Sequence, residues 1–420
     1  MSLRTNPIPG LSQLPNGLTV ISRHIPNRRS ICVNLTVPVG SRHETQRTTG
    51  FSHLAEHVLI RKALRQAQDR RPLQIVEEPL GQTHQDRTEY RLTVTAATLP
   101  NALDLISRLL TSRGVTVADV EIERSIIAAE ENELAAEPWT QVEELVAAIH
   151  FGKHPLGRPV SGDVTRLHRV TRRDLIDFID RYYHPKTAQL TLVGTLPADL
   201  PHLVSRTVGK QIATTARRAR LAPVLLASRT PRVQVVQVQN LPQAAVHLSW
   251  PASIRTARSA VRLEFLERLL MNYLTNALRE RGLVYGVEVG GNLQRDFSEL
   301  TIEASISPDQ VSRYIRSIKP ALRAFRRELT SRTYLVLRQS QLNRLTIESD
   351  DLESQAHSLN WHYLTYQTPL TIEDQAAIYE KTSLSQLRQL FDQIFRRQPS
   401  AVVVGTTLPT AEFARRHLHR

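Results

Sequence analysis

The chain has 420 residues, 41% hydrophobic and 22% charged, with 54 Lys and Arg against 40 Asp and Glu and a formal net charge of +14. That length exceeds one ordinary core and implies two domains of about 200 residues each. The lone Cys32 excludes an intramolecular disulfide, no apolar run reaches the roughly 18 residues of a membrane span, and Met1-Ser2-Leu3-Arg4-Thr5-Asn6-Pro7 lacks the apolar stretch of a signal peptide, so a cytoplasmic protein without a membrane partner is expected.

In chain order, Leu18 to Ser22 and Ile31 to Val37 show the alternation of strands in a sheet covered on one face. Phe51, Leu54, Ala55, Val58, Leu59 and Ala63 then recur at helical spacing, and among them stands His53-Leu54-Ala55-Glu56-His57. Residues four apart lie one above the other on a helix. His53 and His57 can therefore grip one metal ion while Glu56 reaches the same space as a general base. The same spacing also suits two histidines satisfied by hydrogen bonds, and a third ligand decides between the readings, since catalytic zinc takes three protein ligands and leaves one position open.

Glu89 to Thr95 is the next strand, and Thr116 with Asp119 opens a helix as an acidic variant of a capping box. Seven residues make almost two turns, so Glu123 and Glu130 share a face with Ile127 and Leu134. Carboxylates aligned with a core stripe are costly unless paired or bound to a cation. Glu130 as the third zinc ligand, with Glu123 supporting a ligand from behind, resolves that cost. Glu131, Glu133 and Glu137 fit a solvated acidic face better.

Arg173 to Arg181 reads as a helix followed by the strand Ala188-Gln189-Leu190-Thr191-Leu192-Val193-Gly194-Thr195-Leu196-Pro197. Leu384 to Arg396 is likewise followed by Ser400-Ala401-Val402-Val403-Val404-Gly405-Thr406-Thr407-Leu408-Pro409, and the two glycines are 211 positions apart. That repeat predicts two homologous domains, 1–208 carrying the metal motif and 232–420 without it, joined by an Arg-, Ala- and Thr-rich linker over 209–231. Arg232 to Val238 begins the second half as a strand. Strands and long helices in no strict βαβ rhythm make the fold class α+β.

These motifs resemble the pitrilysin and mitochondrial processing peptidase family, the inverzincins, over nearly the whole chain, as a short two-domain bacterial-type member. Glu130 follows His57 by 73 positions and Glu123 precedes it by seven, as in that family. Val37-Pro38-Val39-Gly40-Ser41-Arg42-His43-Glu44, His154-Pro155-Leu156-Gly157-Arg158-Pro159 and Tyr182-Tyr183-His184-Pro185 also match. The resemblance implies two domains that are each a mainly antiparallel sheet packed with helices. It implies a zinc metalloendopeptidase with one zinc per chain and a peptide substrate added as a strand near Gln82 to Asp86.

Where the family usually reads Gly-Gly-x-x-Asn-Ala-x-Thr, this chain has Leu80-Gly81-Gln82-Thr83-His84-Gln85-Asp86-Arg87-Thr88. His84 and Gln85 thus stand at substrate-binding positions, with a solvated loop histidine as the other reading of His84. In Ala277-Leu278-Arg279-Glu280-Arg281-Gly282-Leu283-Val284-Tyr285 the resemblance makes Arg279, or else Arg281, a holder of substrate carbonyls and Tyr285 an oxyanion donor; otherwise the arginine ends a helix at Gly282 and Tyr285 packs in a strand. Family members that enclose a chamber have four such domains, so a homodimer is expected, or a heterodimer with a related subunit. The alternative is a catalytically silent structural or targeting subunit. Arginines spread over both halves, with no phosphate cradle and few aromatics, set nucleic acid aside as a partner; acidic peptides make better use of the charge.

Overall fold

The computed structural model describes residues 9–68, 79–136, 138–210 and 232–419. The expected linker 209–231 lies almost entirely outside the described residues. In chain order the elements begin β1 (Gly10–Gln13), β2 (Thr19–His24), β3 (Ile31–Val37), α1 (Phe51–Gln68), β4 (Leu80–Thr83), β5 (Thr88–Val94), α2 (Leu99–Leu109) and α3 (Val117–Ala136). Next come α4 (Pro138–Phe151), α5 (Val164–Leu167), α6 (Arg172–Tyr182), β6 (Gln189–Gly194) and α7 (Leu200–Arg206). The second half continues with β7 (Val233–Gln237), β8 (Ala244–Pro251), α8 (Ala257–Arg279), β9 (Glu288–Leu293), β10 (Ser298–Ile306), α9 (Val311–Glu328) and α10 (Ser331–Glu348). It closes with α11 (Leu352–Tyr366), α12 (Ile372–Lys381), α13 (Leu384–Phe395), β11 (Ser400–Gly405) and α14 (Ala411–His419). None of the described helices is long and apolar enough to cross a membrane.

Two mixed, largely antiparallel sheets result, ordered β1-β2-β6-β3-β5-β4 and β7-β11-β8-β10-β9. Each central strand pairs antiparallel with its inner neighbours, and β6 and β11 each add one parallel partner, β2 and β7. Both sheets follow one plan, and the fold class is α+β. Strands β4 and β9 are edges.

The compact units differ from a contiguous division of the chain. The first comprises 1–137, 154–222 and 348–371, and the second 138–153, 223–347 and 372–420. Helix α11 belongs to the first unit because Leu352, Ala356 and Leu359 pack on Ile21, Cys32 and Val193. A fully buried leucine such as Leu359 contributes on the order of 1.5–3 kcal/mol. Helix α4 belongs to the second because Val142, Leu145 and Ile149 pack with Val402 and Val404 of β11.

This cover also corrects the expectation of sheets packed on one face. All seven residues of β3 and all six of β6 are buried, because α11 closes the face that the strand pattern left to solvent. Gln189 of β6 donates a 2.8 Å hydrogen bond to the Asn360 carbonyl on that helix.

Candidate active site

Helix α1 buries Phe51, Leu54, Ala55, Val58, Leu59 and Ala63 in the core of the first unit, which fixes the opposite edge of the helix, carrying His53, Glu56 and His57, toward α3 and β4. Its N-terminus is held by Glu44, whose carboxylate accepts the Gly50 N–H at 2.8 Å and the Ser52 N–H at 2.7 Å. Burial pushes the Glu44 carboxyl up to about 7 against those hydrogen bonds. Helix α3 starts as its sequence requires: Asp119 accepts the Thr116 N–H at 2.8 Å and donates its own N–H to Thr116 Oγ1 at 3.1 Å.

These two helices bring His53, His57 and Glu130 together. One ligand atom of each lies within 4.8 Å of the others. His53 Nε2 is 3.2 Å from His57 Nε2, and Glu130 Oε2 is 3.8 Å from the former and 3.6 Å from the latter. Donors bonded to one tetrahedral zinc at about 2.0–2.1 Å stand roughly 3.3–3.5 Å apart, and the three atoms lie within a few tenths of an ångström of that spacing. Glu130 Oε2 is buried with no hydrogen-bond partner among the described residues. The donor set, two imidazoles and one carboxylate, is one that catalytic zinc uses.

The electrostatics agree with a cation. Burial, and then His57, pull the His53 imidazole down to about 4, so it is neutral at pH 7 and offers a lone pair. Burial alone would lower His57 as well, but the Glu123 hydrogen bond, Glu56 and Glu130 outweigh it and raise the ring. Glu123 Oε2 meets His57 Nδ1 at 3.2 Å, which turns the other ring nitrogen toward the ligand cluster. Arg61 completes this support: its guanidinium is 3.3 Å from Glu123 Oε1 and 3.8 Å from Asp119 Oδ1.

Glu56 projects between α1 and the edge strand. Burial raises its carboxyl, against a hydrogen bond from Thr83 and the proximity of His57, which moves it toward the range where a general base exchanges protons at neutral pH. Thr83 Oγ1 donates to Glu56 Oε2 at 2.5 Å. A Cβ at Gly81 would run into the Glu56 carboxylate and Ile60, so a larger residue there would displace Glu56 from its present position. A cleft of about 520 Å³ borders Glu56, His57 and Glu123.

Residues 19–164 match the family described as Insulinase (Peptidase family M16), and residues 169–339 match the Peptidase M16 inactive domain. The chain belongs to peptidase family M16. It is similar to an uncharacterized zinc protease of Mycobacterium tuberculosis, 27% identical over 410 residues that cover 94% of this chain and 93% of that one. It also resembles the mitochondrial-processing peptidase subunit beta of Saccharomyces cerevisiae, 31% identical over 211 residues, 49% of this chain and 45% of that one. A solved protease from Helicobacter pylori has the same fold, with a TM-score of 0.82, 19% identity and cover of 96% of this chain and 100% of that one.

In this M16 chain the first unit gathers His53, His57, Glu130, Glu123 and Glu56. Leu134 is exposed, so the buried stripe of α3 ends one turn before the sequence pattern placed it. Glu133 is exposed, Glu131 is half-buried, and Glu137 lies outside the described residues. Strand β4 stops at Thr83, because His84 N–H turns back to the Arg87 carbonyl at 2.8 Å while the His84 and Gln85 carbonyls accept the N–H groups of Ser41 and Arg42. Among the described residues the edge strand is therefore Leu80–Thr83, and the stretch Gln82 to Asp86 covers its end and the turn that follows. Gln85 Nε2 donates to the Leu156 carbonyl at 3.0 Å, and burial pulls the His84 imidazole down to about 4. His84 is thus half-buried rather than a solvated loop residue.

In the second unit the Arg279 guanidinium stands over the Tyr285 ring at 5.0 Å. Tyr285 is 84% exposed and outside any strand, which removes the reading of it as a packed strand residue. Sequence reasoning missed Thr83, Gly81 and Arg61. Only Arg61 had a local signal, four residues after His57.

Proposed function

We propose that the chain is a zinc-dependent endopeptidase that cleaves peptides or small unfolded substrates. The observation that carries this reading is the meeting of His53 Nε2, His57 Nε2 and Glu130 Oε2 within one zinc-sized space, with the buried Glu56 beside them on the same helix. Zinc held there supplies Lewis acidity to a peptide carbonyl and to the attacking water.

The chain's own residues supply the rest. Thr83 fixes Glu56 Oε2, leaving Oε1 to take a proton from the attacking water and return it to the leaving amine. Glu123 orients His57, and Arg61 holds Glu123. The edge strand β4 receives an extended peptide as an added strand, and Gly81 lets that strand lie close to Glu56. Arg279 holds substrate carbonyls and the Tyr285 hydroxyl meets the developing oxyanion. His84 and Gln85 shape the end of the edge strand.

Both Arg279 and Tyr285 are exposed in the single chain. That exposure supports pairing with a second copy to form a closed chamber, with a related subunit as the other partner that would serve. Metal content of purified variants tests the ligand set. His53→Ala, His57→Ala and Glu130→Gln should each lose zinc, while Glu131→Gln and Glu133→Gln keep it. Normal zinc in Glu130→Gln overturns the assignment, and a wild-type chain without zinc under metal-replete conditions supports a catalytically silent subunit instead.

A further inference from the structure

The second unit repeats the architecture of the first, and its side chains can be compared position by position. Helix α8 corresponds to α1, and Glu264-Phe265-Leu266-Glu267-Arg268 lies 211 positions after His53-Leu54-Ala55-Glu56-His57, the same offset as between Gly194 and Gly405. Helix α10 corresponds to α3. Their first residues, Val117 and Ser331, are 214 positions apart, and Arg344 lies 214 positions after Glu130. The three metal-ligand positions of the first unit thus fall on Glu264, Arg268 and Arg344, while Glu56 falls on another glutamate.

Those three counterparts meet in space. Glu264 Oε1 is 3.8 Å from an Arg268 guanidinium nitrogen and 3.5 Å from one of Arg344. The match extends to the edge strand. Gly291 on β9 lies against Glu267, so that a Cβ there would run into the Glu267 carboxylate, as one at Gly81 would run into Glu56.

We propose that Glu264, Arg268 and Arg344 form a degenerate copy of the metal site, in which the Glu264–Arg344 ion pair joins α8 to α10 where a metal ion would join α1 to α3, and Arg268 on α8 adds a second positive charge. The chemistry is a direct substitution. Two guanidinium groups bring positive charge of the kind that a divalent cation would bring to the first unit, and the Glu264 carboxylate stands in charge contact with both. With cations at two of three ligand positions, this cluster repels metal and leaves Glu267 without a function in catalysis. The second unit is therefore metal-independent by construction, and its site geometry persists under different side chains. The comparison rests on the reading of His53, His57 and Glu130 as metal ligands.

The test restores the ligands. In the full chain, E264H/R268H/R344E should bind a second metal ion, read as two zinc per chain against one in wild type and as doubled cobalt absorption. Adding H53A/H57A to that variant should bring it back to one. If E264H/R268H/R344E binds no more metal than wild type, the proposal is overturned. A wild-type chain with no zinc beside a variant with one would leave the proposal standing and sink the reading of the first site. The milder R268H/R344E keeps Glu264 as an acidic ligand and should also gain metal. Insolubility of both variants in zinc-supplemented culture counts against the proposal, because metal in a preserved geometry should replace the lost ion pairs.

Discussion

Thr83 Oγ1 donates a 2.5 Å hydrogen bond to Glu56 Oε2, tying the edge strand that would receive substrate to the residue that would act as base. The bond crosses from β4 to α1, so the same contact sets the carboxylate's orientation and its distance from an added peptide.

Thr83→Val removes that bond without touching a metal ligand. Zinc content should stay at the wild-type level, and kcat for peptide cleavage should fall by about 10 to 100-fold, the worth of one hydrogen bond to a charged group. Thr83→Ser should recover most of the rate. Equal kcat values for Thr83→Val and wild type would show that Glu56 is positioned by other contacts.

In the proposed site Glu123 would act on the metal through His57, which it meets at 3.2 Å. Glu123→Gln should weaken zinc binding by about 10 to 100-fold, as loss of a carboxylate behind a histidine ligand does, measured by competition with a chromophoric chelator. Arg61→Gln should produce a smaller change in the same direction, since Arg61 reaches Glu123 and no ligand. An unchanged affinity in Glu123→Gln would remove Glu123 from the site.

The cluster of His53, His57, Glu123 and Glu130 was legible in sequence because helical periodicity is local. Four residues place His53 and His57 on one face, and seven place Glu123 and Glu130 on another. Thr83 and Gly81 were not legible, because their role depends on β4 returning to α1 after a separate stretch of chain, and no spacing rule spans that return. The discontinuous division into compact units was not legible for a similar reason. Helices α4 and α11 look like continuations of the segments before them, and only packing on β11 and β6 shows where they belong. The degenerate site was present as Glu264-x-x-Glu267-Arg268, but without histidines it carries no chemical signature until the two units are compared.

Glu267 supplies a pH signature of the second unit. Burial, and then Glu264, push its carboxyl up to about 8 from an ordinary 4.5, with Arg268 opposing. A carboxyl raised in the folded state binds protons more readily there than in the unfolded chain, so its contribution to stability is present below about pH 4.5 and is lost as pH rises to about 8. Glu267→Gln does not titrate. The melting temperature of that variant relative to wild type should therefore rise steadily across this window, and a constant difference would contradict the burial assigned to Glu267.

Complementation tests the shared chamber. If two copies close one chamber so that the zinc site of each meets Arg279 and Tyr285 of the other, a Glu56→Gln homodimer would lack its base and a Tyr285→Phe homodimer its oxyanion donor, and each should be weak. Reassorting equal amounts makes about half the dimers mixed, each with one complete site, and activity should recover to roughly a quarter of wild type per chain. Tagged chains establish the exchange. Verified heterodimers that show only the mean of the two mutants would mean that Tyr285 does not serve the partner's site.

The most direct measurement of the central claim compares wild type with Glu56→Gln for zinc content and for cleavage of a degenerate peptide library read by mass spectrometry. The account predicts one zinc per chain in both proteins, cleavage by wild type, and a loss of rate by a factor on the order of 10² to 10⁴ in Glu56→Gln. Undiminished cleavage by Glu56→Gln, or a zinc-loaded wild type that cuts no peptide in the library, would contradict it.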